Sequence, residues 1–252
     1  MRLPGAIDVR LRPDRGLDLA AASFAGRPFA WTTPLGEVPG TFGDWSASWG
    51  GGLLTTCGLD NVGVPSEGLP QHGTYTYLPA RDVVVNGGAA RGVVEDPRGL
   101  RVERRLANDP AADRIELVDA TTNTSTATLE APLLYHCNLL WGEPAIASQQ
   151  VVPRDAAAAD DDWRVVGDGP ERVYEHLGAT AATVTTQGLR VTIRSSLPRL
   201  WQWVDPQRGV IGIEPANCSV LGRAHDRAAG RLPLLAPGET RVTTLTIEVE
   251  EL

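Results

Sequence analysis

The chain has 252 residues and no lysine. Its 23 basic side chains are all arginine and, against 31 acidic ones, leave a formal charge of −8. An acidic chain without a basic stripe repels phosphate backbones, so nucleic acid is set aside as a partner. No apolar run approaches the roughly 18–20 residues of a membrane-spanning helix, so no membrane partner is expected. The opening residues, Met1 to Asp8, contain no apolar run of the kind a secretory leader needs, and the expected location is cytoplasmic. Cysteine is scarce. Cys57, Cys137 and Cys218 are odd in number and form no C-x-x-C pair, which excludes a disulfide framework and a zinc ribbon. Buried free thiols are expected instead. Also missing are a G-x-S-x-G elbow, a Walker loop, an H-E-x-x-H pair and a G-x-G-x-x-G after a strand, which sets aside serine hydrolases, NTPases and zincins. Helical periodicity over eleven or more residues is almost absent. The best local helix former, Asp155–Asp162, is short and acidic and is expected to be a surface loop.

What the sequence does have is turns. Its 27 glycines and 19 prolines punctuate it every ten residues or so, the rhythm of many short strands. Alternation is clearest in Thr240–Glu250, where Leu245, Ile247 and Val249 share one face and Thr244, Thr246, Glu248 and Glu250 the other. Gly188–Arg194 repeats it. Further short β-rich runs are Ile7–Leu11, Arg81–Val85, Leu100–Leu106, Arg114–Val118, Leu133–Leu140, Arg164–Val166, Arg172–His176 and Val210–Glu214. The simplest architecture is all-β: one domain over residues 1–252, with antiparallel sheets packed face to face.

Few residues carry obvious chemistry. His72 lies in the turn-like segment Leu69-Pro70-Gln71-His72-Gly73, and turn residues on a rigid scaffold often reach into a site. In Leu133–Leu140 alternation puts Leu134, His136, Asn138 and Leu140 on one face. An imidazole and an amide there need polar partners or a cavity. Glu214 ends the apolar run Val210–Ile213, and Gly212, on its face, leaves approach open. A carboxyl in such surroundings has its pKa pushed up, as a general base near neutrality requires. Trp201-Gln202-Trp203 places two indoles on one strand face and an amide on the other. Indoles suit the C–H faces of sugar rings but serve equally as core. His176, in a charged run, and the adjacent His225 and Asp226, placed on opposite faces of a strand between arginines, are expected at the surface.

These pieces form a recognisable order. Pro13-Asp14-Arg15-Gly16-Leu17-Asp18-Leu19 is followed by Gly51-Gly52-Leu53-Leu54-Thr55-Thr56-Cys57-Gly58-Leu59-Asp60-Asn61-Val62-Gly63, then by the His72, His136 and Glu214 segments. In that order they resemble the bacterial aldose 1-epimerase-like family first catalogued as a domain of unknown function, from about Asp8 to Glu248, with Gly51–Gly63 the most specific block. That family is similar to the galactose mutarotases. The resemblance implies a galactose mutarotase-like β-supersandwich, a sugar cleft on a concave face, and His72, His136 and Glu214 as catalytic residues. Arg15, Asn61, Asn138, Gln202 and Trp203 are the candidate substrate contacts. Interconverting sugar anomers by acid–base ring opening needs neither cofactor nor metal. The expected partner is a sugar or another cyclic hemiacetal, and a homodimer is allowed. The same His/Glu pair could instead drive isomerisation, elimination or cyclisation of an oxygen heterocycle, or the site could bind carbohydrate without catalysis.

Overall fold

The alternation read near the C-terminus frames the largest sheet. In the computed structural model, which describes residues 1–34, 45–154, 162–164 and 169–252, the strand Thr240–Glu251 buries Leu245, Ile247 and Val249 and leaves Thr244 and Glu250 exposed. It lies between Leu189–Ser195 and Arg114–Asn123 in an antiparallel sheet of eight strands. From edge to edge that sheet runs Glu143–Ala145, Ala181–Thr186, Leu189–Ser195, Thr240–Glu251, Arg114–Asn123, Leu100–Asp109, Ala89–Glu95 and Arg81–Asn86. Ala89–Glu95 and Ala181–Thr186 fall outside the runs legible in the sequence. Their buried positions include Ala90, Gly92 and Ala182, which give little apolar contrast.

A second antiparallel sheet has six strands, in the order Gln150–Pro153, Arg172–Leu177, Arg199–Asp205, Val210–Ala216, Leu133–Leu140 and Thr55–Gly58. It packs on the first. Leu133–Leu140 meets Ala181–Thr186, and Leu189–Ser195 meets Val210–Ala216. Almost every residue of Leu133–Leu140 is buried, because both of its faces are covered. Leu133, Tyr135, Cys137 and Leu139 join the main core, with Leu200, Val204, Ile211 and Ile213 from the neighbouring strands. The opposite face carries Leu134, His136, Trp203, Gly212 and Glu214. All three cysteines are buried and free.

The two sheets are tied through a buried ionic knot. Arg104 donates to both carboxylate oxygens of Asp119 (2.9 and 2.7 Å), to Asp18 Oδ1 (2.6 Å), to Thr56 Oγ1 (2.9 Å) and to the carbonyl of Gly16 (3.0 Å). The Tyr135 hydroxyl donates to Asp119 (2.7 Å). Asp18 belongs to a four-stranded N-terminal sheet, Arg2–Leu3, Asp8–Arg12, Asp18–Phe24 and Arg27–Pro28. Its two oxygens accept from the Thr56 backbone N–H and hydroxyl. A fully buried guanidinium is tolerated because carboxylates and a carbonyl take its donors.

Two expectations need correction. His225 and Asp226 lie on a short helix, Arg223–Ala228, not on a strand. Asp226 is buried there, accepting the Ser219 N–H (2.8 Å), while His225 is exposed. His176 is 1% exposed rather than superficial, because its strand position turns it to the core side. Residues 155–161 and 165–168 lie outside the described residues, and with them most of the acidic segment and the end of the Arg164–Val166 run.

Candidate active site

Glu214 and His136 sit on neighbouring strands of the six-stranded sheet, paired antiparallel with Asn138 opposite Gly212. Even-numbered residues of both strands face away from the core, so the two side chains stand together. His136 Nε2 lies 3.1 Å from Glu214 Oε1. Gly212 makes the space between them. A Cβ on Gly212 would lie 2.9 Å from Glu214 Oε1, 3.2 Å from the Trp203 ring and 3.3 Å from His136 Cε1.

His72 arrives from the turn following Leu69. Its φ of +60° lies in the left-handed region, uncommon for a residue with a Cβ, and backbone bonds hold it there. Its N–H donates to the Gly63 carbonyl and its carbonyl accepts from the Gly58 N–H, both at 2.9 Å. The specific Gly51–Gly63 block is the bracket for this turn. Asn61 Nδ2 donates to the carbonyls of Val64 (3.0 Å) and Pro70 (2.9 Å), and its Oδ1 accepts from the Arg223 N–H (3.0 Å). Asp60 accepts from the Asn61 and Thr74 N–H groups and from the Thr74 hydroxyl. Gly73 fits against this bracket at φ +74°, where a Cβ would come within 2.4 Å of Asp60 Oδ1 and the Asn61 carbonyl. The His72 and His136 rings meet edge to face, with centroids 5.6 Å apart.

Aromatic rings wall the site. Trp45 covers His72 (4.5 Å), while Trp49 and Trp203 flank His136 at 5.4 and 5.5 Å. Trp45 and Trp49 lie four residues apart on one helical turn, Trp49 N–H donating to the Trp45 carbonyl, so their indoles stack. The cavity so enclosed has a volume of about 350 Å³, at the small end of ligand sites. His72, His136 and Glu214 lie in its lining with the three tryptophans. Gln71, Arg154, Glu171 and Arg208 supply further polar groups.

Burial sets the protonation states. It pushes Glu214 up to about 8, with Arg154 pulling the other way, and pushes His136 down to about 4. His72 falls well below the usual imidazole range through burial, aided by His136. All three directions favour the neutral forms, so near neutrality the Glu214–His136 pair holds one exchangeable proton between carboxyl and imidazole. Such a pair can take a proton from one oxygen and give one to another without building net charge among buried groups. Among the described residues, no group of three or more His, Cys, Asp or Glu is placed to hold a metal ion.

Of the expected contacts, the cavity brings Trp203 to the three proton-handling groups. It does not bring Gln202, Asn138, Asn61 or Arg15 into its lining. Gln202 faces the core side, the opposite parity to Trp203, and its Oε1 meets His176 Nε2 at 2.8 Å. Asn138 donates to the carbonyls of Gly52 and His136 and so braces the floor from beside it. Asn61 is spent on the His72 bracket. Arg15 is buried in a separate groove behind Trp49. The residues that sequence reasoning missed are Trp45, Trp49, Gln71, Arg154, Glu171 and Arg208. Only the W-x-x-x-W spacing of the first two offered a signal.

Residues 1–249 match the family model described as Domain of unknown function (DUF4432). The chain belongs to the DUF4432 family. Solved structures give this member of the family its fold relatives. A protein from Klebsiella pneumoniae described as a candidate aldose 1-epimerase superposes with TM-score 0.80 at 20% identity, over 96% of this chain and 76% of that one. A galactose mutarotase-like protein from Lactobacillus casei gives TM-score 0.70 at 11% identity over 99% of both chains. A third, from Clostridium acetobutylicum, gives 0.70 at 12% over 98% and 94%. At these identities the likeness establishes the galactose mutarotase-like fold. No curated protein matches the DUF4432 chain in sequence.

Proposed function

We propose that this DUF4432 protein is an aldose 1-epimerase-like enzyme that interconverts the anomers of a cyclic hemiacetal. The observation that carries the reading is the Glu214–His136 pair, 3.1 Å apart on the cavity floor with His72 beside it. A hemiacetal carbon bears two oxygens, the anomeric hydroxyl and the ring oxygen, and ring opening moves a proton off the first and onto the second. Two proton-handling groups side by side match that demand.

In the reactive form the shared proton rests on His136 and Glu214 is a carboxylate. Glu214 removes the proton of the anomeric hydroxyl, the bond between the anomeric carbon and the ring oxygen breaks, and His136 protonates that oxygen. The result is an open-chain aldehyde. Rotation about the adjacent carbon–carbon bond presents the other carbonyl face, and the same transfers in reverse close the ring as the opposite anomer. His72, held neutral, orients the ring oxygen. The indoles give the C–H face of the ring a surface to lie on and exclude water.

The test is Glu214→Gln, which keeps size and removes the carboxylate. Anomer exchange, followed by saturation-transfer NMR across a panel of aldoses, is expected to fall by roughly 10²–10⁴-fold, the usual scale of a positioned acid or base. Exchange at the parent rate in a folded variant overturns the assignment. Binding by the parent protein with no exchange on any aldose would leave a carbohydrate-binding protein without this chemistry.

A further inference from the structure

The side chain of Asn138 has one atom that the bracing of the floor does not use. Asn138 follows His136 by two positions on the strand Leu133–Leu140, so both side chains leave the same face. It is fully buried, and its Nδ2 donates to the carbonyls of Gly52 (2.8 Å) and His136 (3.0 Å). Those two bonds fix which way the amide points, since the reverse orientation would set its oxygen against two carbonyl oxygens. What remains is Oδ1, which only accepts. Oδ1 and His136 Nδ1 are both buried, and neither makes a regular hydrogen bond to any described residue. His136 directs its other nitrogen, Nε2, at Glu214 Oε1 (3.1 Å). A buried acceptor and a buried ring nitrogen, neighbours on one strand face and both without a partner, complement each other when that nitrogen carries the hydrogen. The Asn138 amide also holds the His136 pKa up against the effect of burial, the direction expected of an acceptor facing an N–H. Hydrogen bonds of catalytic groups are commonly long before substrate binds and tighten in the reacting complex.

We propose that Asn138 is the positioning residue of the proton-transfer pair: its Oδ1 takes the hydrogen on His136 Nδ1, which leaves the lone pair of Nε2 facing the Glu214 carboxyl. The part this plays in catalysis rests on the acid–base reading of the floor. With this tautomer the resting proton lies on Glu214. It passes from Oε1 to Nε2, leaving a carboxylate and an imidazolium with no change in net charge. The imidazolium then has both N–H groups directed, one at Asn138 and one at the ring oxygen of the substrate. In the other tautomer Nε2 already bears a hydrogen and has no lone pair to receive the Glu214 proton, while the lone pair of Nδ1 faces those of Oδ1.

The tautomer is read without substrate, from the ring-nitrogen NMR shifts of the full-length protein labelled with ¹⁵N-histidine near neutral pH. His136 is assigned by its loss from the spectrum of His136→Gln. The parent is expected to show Nδ1–H. Because a protonated Glu214 also favours that tautomer, Glu214→Gln is measured beside it. An amide either gives or accepts at Nε2 and leaves the choice to Asn138, so Nδ1–H is expected to persist. Nε2–H in either protein overturns the proposal. Two further variants separate positioning from bracing: Asn138→Leu removes donors and acceptor together, whereas Asn138→Asp keeps an acceptor oxygen and removes the amide donors. Anomer exchange is expected to fall roughly ten- to a hundredfold in Asn138→Leu, the scale of a hydrogen bond to a charged group, and Asn138→Asp to recover about tenfold of that loss. Folded Asn138→Asp no faster than folded Asn138→Leu makes Asn138 a brace alone and overturns its positioning role. Where either variant fails to fold, the tautomer in Glu214→Gln decides. Exchange of an aldose by a parent with Nε2–H leaves the epimerase standing and removes the role of Asn138. Nδ1–H in both proteins without exchange of any aldose keeps the Asn138 contact and removes the epimerase.

Discussion

Glu214 is an acid kept from ionising, and that has a sign in the stability of the protein. Its folded pKa is raised above its ordinary value, so its contribution is fully present below that ordinary value and is lost as pH rises through about 8. His136 works oppositely. Its folded pKa is lowered, so its contribution is present above the usual imidazole value and is lost as pH falls through about 4. Melting curves of the parent and Glu214→Gln are therefore expected to diverge as pH climbs from 5 to 8. The variant gains relative stability with a slope on the order of 1.4 kcal/mol per pH unit at most; parallel curves would show that the carboxyl ionises freely. The activity counterpart is a bell. The pair loses its only proton on the alkaline side and takes another on the acid side, so kcat/KM is expected to fall in both directions from a neutral optimum, with limbs that belong to the pair. Gly212 is the third residue with a direct consequence. Gly212→Ala places a methyl within 3.3 Å of Glu214, Trp203 and His136 alike. Exchange is expected to drop by about a hundredfold, as acid–base contact is lost, with far-UV circular dichroism unchanged; activity close to the parent would mean that the floor has slack.

At the scale of elements, the turn bearing His72 is held by backbone bonds and by the side chains of Asp60 and Asn61. Asn61→Ala strips the partner of the Val64 carbonyl and of the Arg223 N–H, while the Pro70 carbonyl keeps the Gly73 N–H. Leaving such groups unsatisfied costs about 1–3 kcal/mol, to be measured by urea denaturation. Freed of its bracket, His72 is expected to depress kcat more than it raises KM; a loss of stability with unchanged kcat would limit Asn61 to the fold. The sequence made His72, His136 and Glu214 legible because each is polar in surroundings that supply no local partner. It misassigned Asn61 and Asn138, whose side chains serve the backbone of the site and not its cavity, since an amide looks the same in either role. Gln202 was misplaced by association with Trp203, although adjacent strand residues face opposite ways. The rim residues Arg154, Glu171 and Arg208 had no signature at all, because a charged residue at a strand end or turn resembles any surface charge until the fold brings three of them together.

At the scale of the whole molecule, strand alternation sufficed for the class of fold, although the two strands that show it most clearly both lie in the eight-stranded sheet. It could not supply the order of the strands or the Arg104 knot, whose members Asp18, Thr56, Arg104, Asp119 and Tyr135 are scattered over more than a hundred positions. Arg104→Met keeps much of the volume but leaves the buried Asp18 and Asp119 without their cation. It is expected to cost about 3–5 kcal/mol, the usual penalty for breaking one side of a buried ion pair, seen as a lowered denaturation midpoint. A near-neutral effect would mean that the two acids take up protons and tolerate the loss.

Tyr135 and His136 are consecutive, yet Tyr135 grips the Arg104 knot while His136 faces the cavity. One strand is thus a partition, with ballast on one side and reagents on the other. The proposed proton-transfer pair is seated on strands shared with the interior, whereas Arg154 follows a strand end and Arg208 lies in a turn. Change at the cavity rim is therefore expected to disturb the interior less than change on its floor.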